Sequence, residues 1–121
     1  MEKKKTLVLG ASENPTRYSN LAIKRLVNYN HPVVAIGKKN GMVAGIQIEN
    51  GPKQFSNIDT VTLYLNQLHQ KAYYDYIISL HPQRLIFNPG AENDELFQLA
   101  LQNGIKPIEA CTLVLLNTGQ Y

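Results

Sequence analysis

The sequence is poor in cysteine and in long apolar runs. Cys111 is the only cysteine, so no internal disulfide can form, and this scarcity is typical of a reducing compartment. No stretch approaches the roughly 18 consecutive apolar residues of a membrane span. The run Leu7-Val8-Leu9 behind the basic start ends at Gly10, too early for the apolar region of a signal peptide. We therefore expect a cytoplasmic protein with no membrane partner.

Patterns that usually carry catalysis or metal binding are also missing. The sequence contains no C-x-x-C or H-E-x-x-H spacing. His69 has no visible serine, cysteine or paired carboxylate with which it would form a catalytic pair. The acids Glu92, Asp94 and Glu95 stand at a predicted helix start, where negative charge stabilises the helix. We therefore expect no metal site and no catalytic centre.

The composition itself is that of a folded domain. The chain is 44% hydrophobic and 17% charged, near the average for globular domains, and its 121 residues correspond to a single domain over 1–121. The formal net charge is +3, but three of the twelve basic residues stand at Lys3 to Lys5 and no basic stripe is interleaved with aromatics. A nucleic-acid function would rest on net charge alone, so we expect no such partner.

Short apolar runs alternate with amphipathic stretches along the chain. Five runs are predicted as strands: Thr6 to Leu9, Val33 to Ile36, Thr60 to Leu65, Arg84 to Phe87 and Ile105 to Ile108. Four helical stretches are predicted: one that starts at Asn14-Pro15 or at Ser19-Asn20, one over Asn66 to Leu80, one from Asp94 to a stop at Gly104, and one over Leu113 to Leu116. The glycine-rich segment 38–57 is predicted as a loop or small hairpin.

This alternation predicts an α/β fold. Strands linked through helices form right-handed crossovers, and these produce a parallel sheet covered on both faces. We therefore expect three layers around a doubly wound parallel sheet of five strands, Rossmann-like, with strand order 3-2-1-4-5. In such a sheet a ligand binds beyond the carboxyl ends of the strands.

The turn after strand 1 and the end of strand 2 limit the ligand class. The turn Gly10-Ala11-Ser12 has one of the three glycines of the G-x-G-x-x-G dinucleotide fingerprint. Strand 2 leads into Gly37-Lys38-Lys39, where an NAD site places an acid for the ribose hydroxyls. Lysines suit a phosphate on the adenosine ribose, which NADP carries at the 2′ position and coenzyme A at the 3′ position. The residues leave both ligands open.

A chain-wide resemblance favours coenzyme A. It is carried by ordered motifs: Leu7-Val8-Leu9-Gly10-Ala11-Ser12, Asn14-Pro15-x-Arg17-x-Ser19-Asn20, the glycine-bounded segment through Gly45, Ile58-Asp59-x-Val61, Asn88-Pro89-Gly90-Ala91-Glu92-Asn93, Gly104-Ile105 and Ala110-Cys111-Thr112. These motifs resemble the stand-alone CoA-binding domain family, which is similar to the N-terminal domain of the succinyl-CoA synthetase alpha subunit. The synthetase's phosphohistidine region has no counterpart here, so the resemblance implies binding of coenzyme A or an acyl-CoA without catalysis.

The resemblance also implies three groups of binding residues. The diphosphate would lie against the first loop, at Gly10, Ala11, Ser12, Asn14, Arg17 and Ser19. The ribose phosphate would meet Lys38 or Lys39, next to Gly37. The rest of the pocket would be bordered by Leu65, Asn66, Asn88, Pro89 and Gly90.

Three further hypotheses stay open at the sequence level. A small NADP-binding oxidoreductase or redox-sensing module would use the same turn and lysines, although no Tyr-x-x-x-Lys pair is present. Cys111 is predicted to be a buried packing residue, and its place at the mouth of the sheet raises a second hypothesis, a mixed disulfide with the coenzyme A thiol. Tyr73, Tyr74 and Tyr76 crowd one helix, which suggests a homodimer.

Overall fold

The protein is described by a computed structural model of residues 2–121, so Met1, the first residue of the predicted domain, lies outside the described residues. Seven strands and five α-helices follow one another along the described chain. They are β1 (Thr6–Ala11), α1 (Tyr18–Asn28), β2 (Val33–Gly37), β3 (Gly41–Val43), β4 (Ile46–Asn50), β5 (Thr60–Leu63), α2 (Gln67–Gln70), a 3-10 turn (Lys71–Tyr73), α3 (Tyr74–Ser79), β6 (Arg84–Phe87), α4 (Asp94–Gln102), β7 (Lys106–Glu109) and α5 (Thr112–Asn117).

All seven strands form one sheet in the order β3-β4-β2-β1-β5-β6-β7. Neighbouring strands are parallel except for β3 and β4, which are antiparallel. The predicted α/β class is confirmed, and the Rossmann-like sheet is parallel except at its β3 edge. The predicted count of five strands in the order 3-2-1-4-5 is wrong.

Strand β4 accounts for this error. The segment predicted as a loop or small hairpin is a hairpin, and its second strand pairs in parallel with β2, for example Ala35 with Ile48. That strand takes the place beside β2 that the prediction gave to the Thr60 run, which instead pairs with the other side of β1, Leu7 against Val61. Counted without the antiparallel β3, the six parallel strands have the order 3-2-1-4-5-6, which is that of dinucleotide-binding folds.

Helices cover both faces of the sheet. On one face Ile23 of α1 and Leu116 of α5 join Val8 in one apolar cluster. On the other face Ile77 of α3 and Leu96 of α4 pack in a second cluster around the remaining strand side chains. The three-layer prediction is therefore confirmed. The chain leaves β1 toward the first face and β5 toward the second, so the topological switch point lies between these two neighbouring strands.

The helix predicted over Asn66 to Leu80 is interrupted. The 3-10 turn at Lys71–Tyr73 separates α2 from α3 and changes which side chains face the core. Leu68 is 78% exposed, whereas the polar Gln70 is fully buried. The Gln70 amide donates to the carbonyls of Leu65 (2.8 Å) and Ala91 (2.7 Å), so it holds together the connections that follow β5 and β6.

The three clustered tyrosines all find contacts within the chain. Tyr73, Tyr74 and Tyr76 are each half-buried against the core on the α3 and α4 face. The Tyr74 hydroxyl lies 3.0 Å from a Glu95 carboxylate oxygen, and the Tyr76 hydroxyl donates to the Lys53 carbonyl. Their number alone therefore does not require a partner subunit, and the homodimer stays a prediction.

Among residues 2–121, no helix combines the length and the apolar character that crossing a lipid bilayer requires.

Candidate functional site

The carboxyl end of β1 makes a bulge at Gly10. Pairing with β2 shifts register between Leu9 and Ala11, and Gly10 has a φ of +101°, a backbone conformation that suits glycine. A Cβ at Gly10 would lie 2.9 Å from the Tyr64 carbonyl carbon and oxygen. The bulge therefore lets the start of the β1–α1 loop lie directly on the connection that follows β5.

Local hydrogen bonds fix the rest of this loop. The Ser12 hydroxyl accepts from the Asn14 N–H at 3.0 Å, and the Asn14 side-chain oxygen accepts from the Thr16 N–H and hydroxyl. Helix α1 begins at Tyr18 with Arg17 as its N-cap residue, between the two predicted starts, and no side chain caps it. Because the first N–H groups of a helix lack intrahelical partners, an uncapped N-terminus favours an anion.

Asn20 is a residue of this region that the sequence reasoning did not place in the site. It is buried in the first turn of α1, and its Nδ2 donates to the Ser12 carbonyl at 3.0 Å. Within residues 2–121 the buried Oδ1 has no hydrogen-bond partner. Ser19 beside it is also buried and belongs to the helix, so it is not the N-cap that one predicted start assigned to it.

The end of β2 lies against the same loop. Gly37 pairs with Ala11, and a Cβ at Gly37 would stand 2.2 Å from the Ala11 carbonyl oxygen. Lys38 and Lys39 follow and are exposed. The one ion pair recorded among residues 2–121 joins Lys53 and Glu49, so both ammonium groups on this loop lack a carboxylate partner within 4 Å.

The connection after β5 contributes Tyr64, Leu65 and Asn66. Burial raises the pKa of the Tyr64 phenol, and the neighbouring Cys111 acts in the same direction. The buried Tyr64 hydroxyl has no hydrogen-bond partner of normal geometry in the described part of the chain. Leu65 is half-buried, while Asn66 is exposed and its Oδ1 accepts from the His69 N–H to cap α2.

Asn88, predicted to border the pocket, has its side chain turned inward. Nδ2 donates to the Thr62 hydroxyl (2.7 Å) and the Leu63 carbonyl (2.9 Å), while Oδ1 accepts from the Thr112 N–H (2.8 Å). The side chain thus joins β5, β6 and the start of α5. Pro89 and Gly90 are exposed, so they are the part of this loop that a ligand can reach.

We expect Asn88→Ala to lower the free energy of unfolding by about 2–4 kcal/mol, because it removes three buried hydrogen bonds and takes this partner from the Leu63 carbonyl of β5 and the Thr112 N–H of α5. The matched control is Asn66→Ala, which removes one exposed cap bond and should cost about 1 kcal/mol. Urea unfolding of both variants checks this. Equal losses would contradict the structural role of Asn88.

Cys111 lies at the N-cap of α5 and is half-buried, less enclosed than the predicted packing residue. It neighbours Tyr64 at the same edge of the sheet. The described residues 2–121 contain no group of three or more histidine, cysteine or acidic side chains arranged to hold a metal ion.

The structure therefore brings most of the predicted residues to one edge of the sheet. The backbone pairs Ala11 with Gly37 and places Gly10 on the Tyr64–Leu65 peptide. A shallow cleft of about 510 Å³ lies between α4 and the α2–α3 region and is lined by Lys71, Tyr74, Glu95, Gln98, Leu99 and Gln102. None of the predicted binding residues lines it.

Comparison with known proteins supports the fold and shows a family match over most of the chain. A family model described as a CoA binding domain matches residues 4–117. No curated protein matches the chain significantly. The crystal structure of an uncharacterized protein is 45% identical, with a TM-score of 0.97 and full coverage of both chains.

Two more distant structures show the fold alone. A hypothetical protein from Pyrococcus horikoshii OT3 is 22% identical with a TM-score of 0.84, over 93% of this chain and 81% of its own. An oxidoreductase from Bacillus cereus is 14% identical with a TM-score of 0.60, over 88% of this chain and 34% of its own. The fold of this chain is thus shared with longer proteins, one of which is described as an oxidoreductase, and fold alone does not choose the ligand.

Proposed function

The chain belongs to the CoA binding domain family, and from this premise we propose that it binds coenzyme A or an acyl-CoA through the diphosphate at the carboxyl edge of the sheet. The observation that carries the proposal is the β1–α1 loop. The start of this loop packs directly on the connection after β5 at Gly10. The loop ends at helix α1, which has 11 residues and an N-terminus that no side chain caps. Backbone N–H groups at such a helix start bind phosphate groups.

The adenosine end of the ligand would lie toward β2. Gly37 is packed on Ala11, so the exposed lysines that follow it stand beside the diphosphate loop. Among residues 2–121, Lys38 and Lys39 have no carboxylate partner within 4 Å, and a ribose phosphate would supply one negative partner for them. Arg17, exposed at the N-cap of α1, is a further cation for the diphosphate.

The pantetheine arm would run over the switch point toward β5 and β6. Half-buried Leu65 and the exposed Pro89 and Gly90 form the border of this region. Asn20 Oδ1 is a buried polar atom near the same edge that has no hydrogen-bond partner among residues 2–121, and pantetheine carries amide donors for such a group.

Binding without chemical change of the ligand is part of this proposal, because the edge supplies hydroxyls, amides and cations, which hold an anionic ligand. Acetyl-CoA recovered after incubation should have an unchanged mass. We also expect the protein to act in the cytoplasm, where coenzyme A is used and a lone cysteine stays reduced.

A covalent adduct is the expected consequence if the ligand thiol reaches Cys111. With coenzyme A disulfide as oxidant, the Cys111 thiolate attacks one sulfur, a protein–coenzyme A disulfide forms, and one coenzyme A thiolate leaves. Mass spectrometry of the non-reduced protein should show one added coenzyme A, reversed by dithiothreitol and absent in Cys111→Ser. A wild-type protein that stays unmodified would remove Cys111 from the thiol end of the site.

Calorimetric titration in one buffer tests the proposed function against its alternatives. We expect saturable one-to-one binding of coenzyme A, with weaker binding of NADP, NAD and a short DNA duplex. Saturable binding of NADP without binding of coenzyme A would support the oxidoreductase or redox-sensing alternative instead. Duplex binding that falls steeply with salt would indicate a nucleic-acid partner.

A further inference from the structure

Glu13 is an acid in the middle of the loop that we propose for the diphosphate. Simple electrostatics disfavours it there, because a carboxylate repels an anionic ligand. The structure shows what the side chain does instead. Its Oε2 accepts a hydrogen bond from the backbone N–H of Met42 at 2.9 Å, so it reaches from the β1–α1 loop to β3.

Gly41 makes room for this contact. A Cβ at Gly41 would lie 2.4 Å from the Glu13 carboxyl carbon, so the acid lies directly on the glycine. The Met42 N–H donates to Glu13, although β3 is also paired with β4 on its other side. Glu13 therefore covers the outer edge of the sheet at β3.

The loop that carries Lys38 and Lys39 is held at both ends by the segment 11–13. Before the loop, Gly37 packs on the Ala11 carbonyl, and after it, Gly41 and Met42 are held by Glu13. Only Lys38, Lys39 and Asn40 lie between these anchors, and the Asn40 Oδ1 accepts from the Asn50 N–H of β4 at 2.9 Å. The two lysines are thus carried on a three-residue loop whose position is set from the β1–α1 loop.

We propose that Glu13 is a positioning residue that, through Met42, holds the Lys38–Lys39 loop beside the diphosphate loop and so makes the site selective for ligands phosphorylated on the adenosine ribose. This rests on the proposed function and deepens it, because it says which residue fixes the ribose-phosphate subsite. Glu13 itself does not touch the ligand.

The test compares coenzyme A with dephospho-coenzyme A, which lacks only the ribose phosphate. Glu13→Gln keeps an oxygen acceptor for the Met42 N–H and removes the charge, whereas Glu13→Ala removes both. Wild type should prefer coenzyme A by about tenfold or more, since a charge-assisted contact is worth about that much. Glu13→Gln should retain this preference with equal or tighter binding of both ligands.

Glu13→Ala should lose at least about fivefold of the preference, mainly through weaker binding of coenzyme A. Met42→Pro removes the same bond from the donor side on an edge strand, where proline is tolerated, and should give the same loss. The control is Glu92→Ala, which deletes an exposed acid whose Oε1 accepts the Gly90 N–H at 2.8 Å, a comparable bond at another loop. It should leave the preference unchanged.

Different results would refute the proposed function and the role of Glu13. A wild-type protein that binds neither ligand would refute the proposed function. A wild-type protein that binds both equally, or a Glu13→Ala variant that keeps the full preference, would overturn the role of Glu13 while coenzyme A binding stands. An equal loss in Glu92→Ala would show that the effect is not specific to the bond between Glu13 and Met42.

Discussion

Replacing Gly10 by alanine should lower the free energy of unfolding by about 3–5 kcal/mol, from backbone strain and overpacking together. The strain arises because Gly10 has a φ of +101°, which a residue with a Cβ rarely adopts. The overpacking arises because the new methyl group would lie 2.9 Å from the Tyr64 carbonyl carbon and oxygen, which are both backbone atoms. A side-chain rotation cannot relieve this contact, so β1 or the β5 connection must shift.

Gly51→Ala is the matched control for this prediction. Gly51 has a φ of +108°, close to that of Gly10, but a Cβ there has nothing within 4 Å. Gly51→Ala should therefore lower the free energy of unfolding by about 1–2 kcal/mol, from backbone strain alone. Urea unfolding at 25 °C measures both, and in a thermal melt the Gly10 variant should unfold roughly 10 °C or more below wild type. Equal losses in the two variants would mean that the close approach of Gly10 to Tyr64 contributes nothing.

Ser12→Tyr should weaken coenzyme A binding by about 100-fold or more, which corresponds to nearly 3 kcal/mol. Ser12 is half-buried at the start of the diphosphate loop, between the Gly10 bulge and the Asn14 turn. A tyrosine ring at this point would fill the space that the diphosphate needs. Stability should fall by no more than about 1 kcal/mol, because the substitution removes one partly exposed hydrogen bond to the Asn14 N–H.

Ser12→Ala separates the two effects of that substitution. It removes the same hydroxyl bond without adding a ring, so it should bind coenzyme A within about threefold of wild type. Both variants are compared by calorimetry after their thermal melts have been shown to match. A tyrosine variant that binds coenzyme A with wild-type affinity would place the diphosphate somewhere other than the β1–α1 loop.

The parts of this structure that sequence predicts are those with a local signal. Thr6 to Leu9 is a dense apolar run followed by a glycine, and the strand and turn are found there. Asn93 and Asp94 stand at a helix start, Gly104 at its stop, and α4 fills the space between them. The predicted strand order was wrong because β4 is a short, half-polar strand that lacks a dense apolar run.

The missed site residues depend on contacts between distant parts of the chain. Glu13 and Met42 are 29 positions apart, and the positive φ angles at Ala44 and Gly45 that close the β3–β4 hairpin set where Met42 lies. Asn20 belonged to one of the two predicted helix starts, but it lies within the first turn of α1 and its side chain turns back to the Ser12 carbonyl. Such roles follow from the packing of loops on one another, which periodicity does not contain.

Binding of coenzyme A at the carboxyl edge of the sheet is tested most directly by an amide chemical-shift titration of the isotopically labelled protein with coenzyme A. Saturable shifts are expected in the loops after β1, β2, β5 and β6, at 10–20, 37–42, 64–66 and 88–90. Little change is expected around Lys71 and Glu95, which line the cleft between α4 and the α2–α3 region. Shifts centred on that cleft, or no saturable shifts at all, would contradict binding of coenzyme A at the carboxyl edge of the sheet.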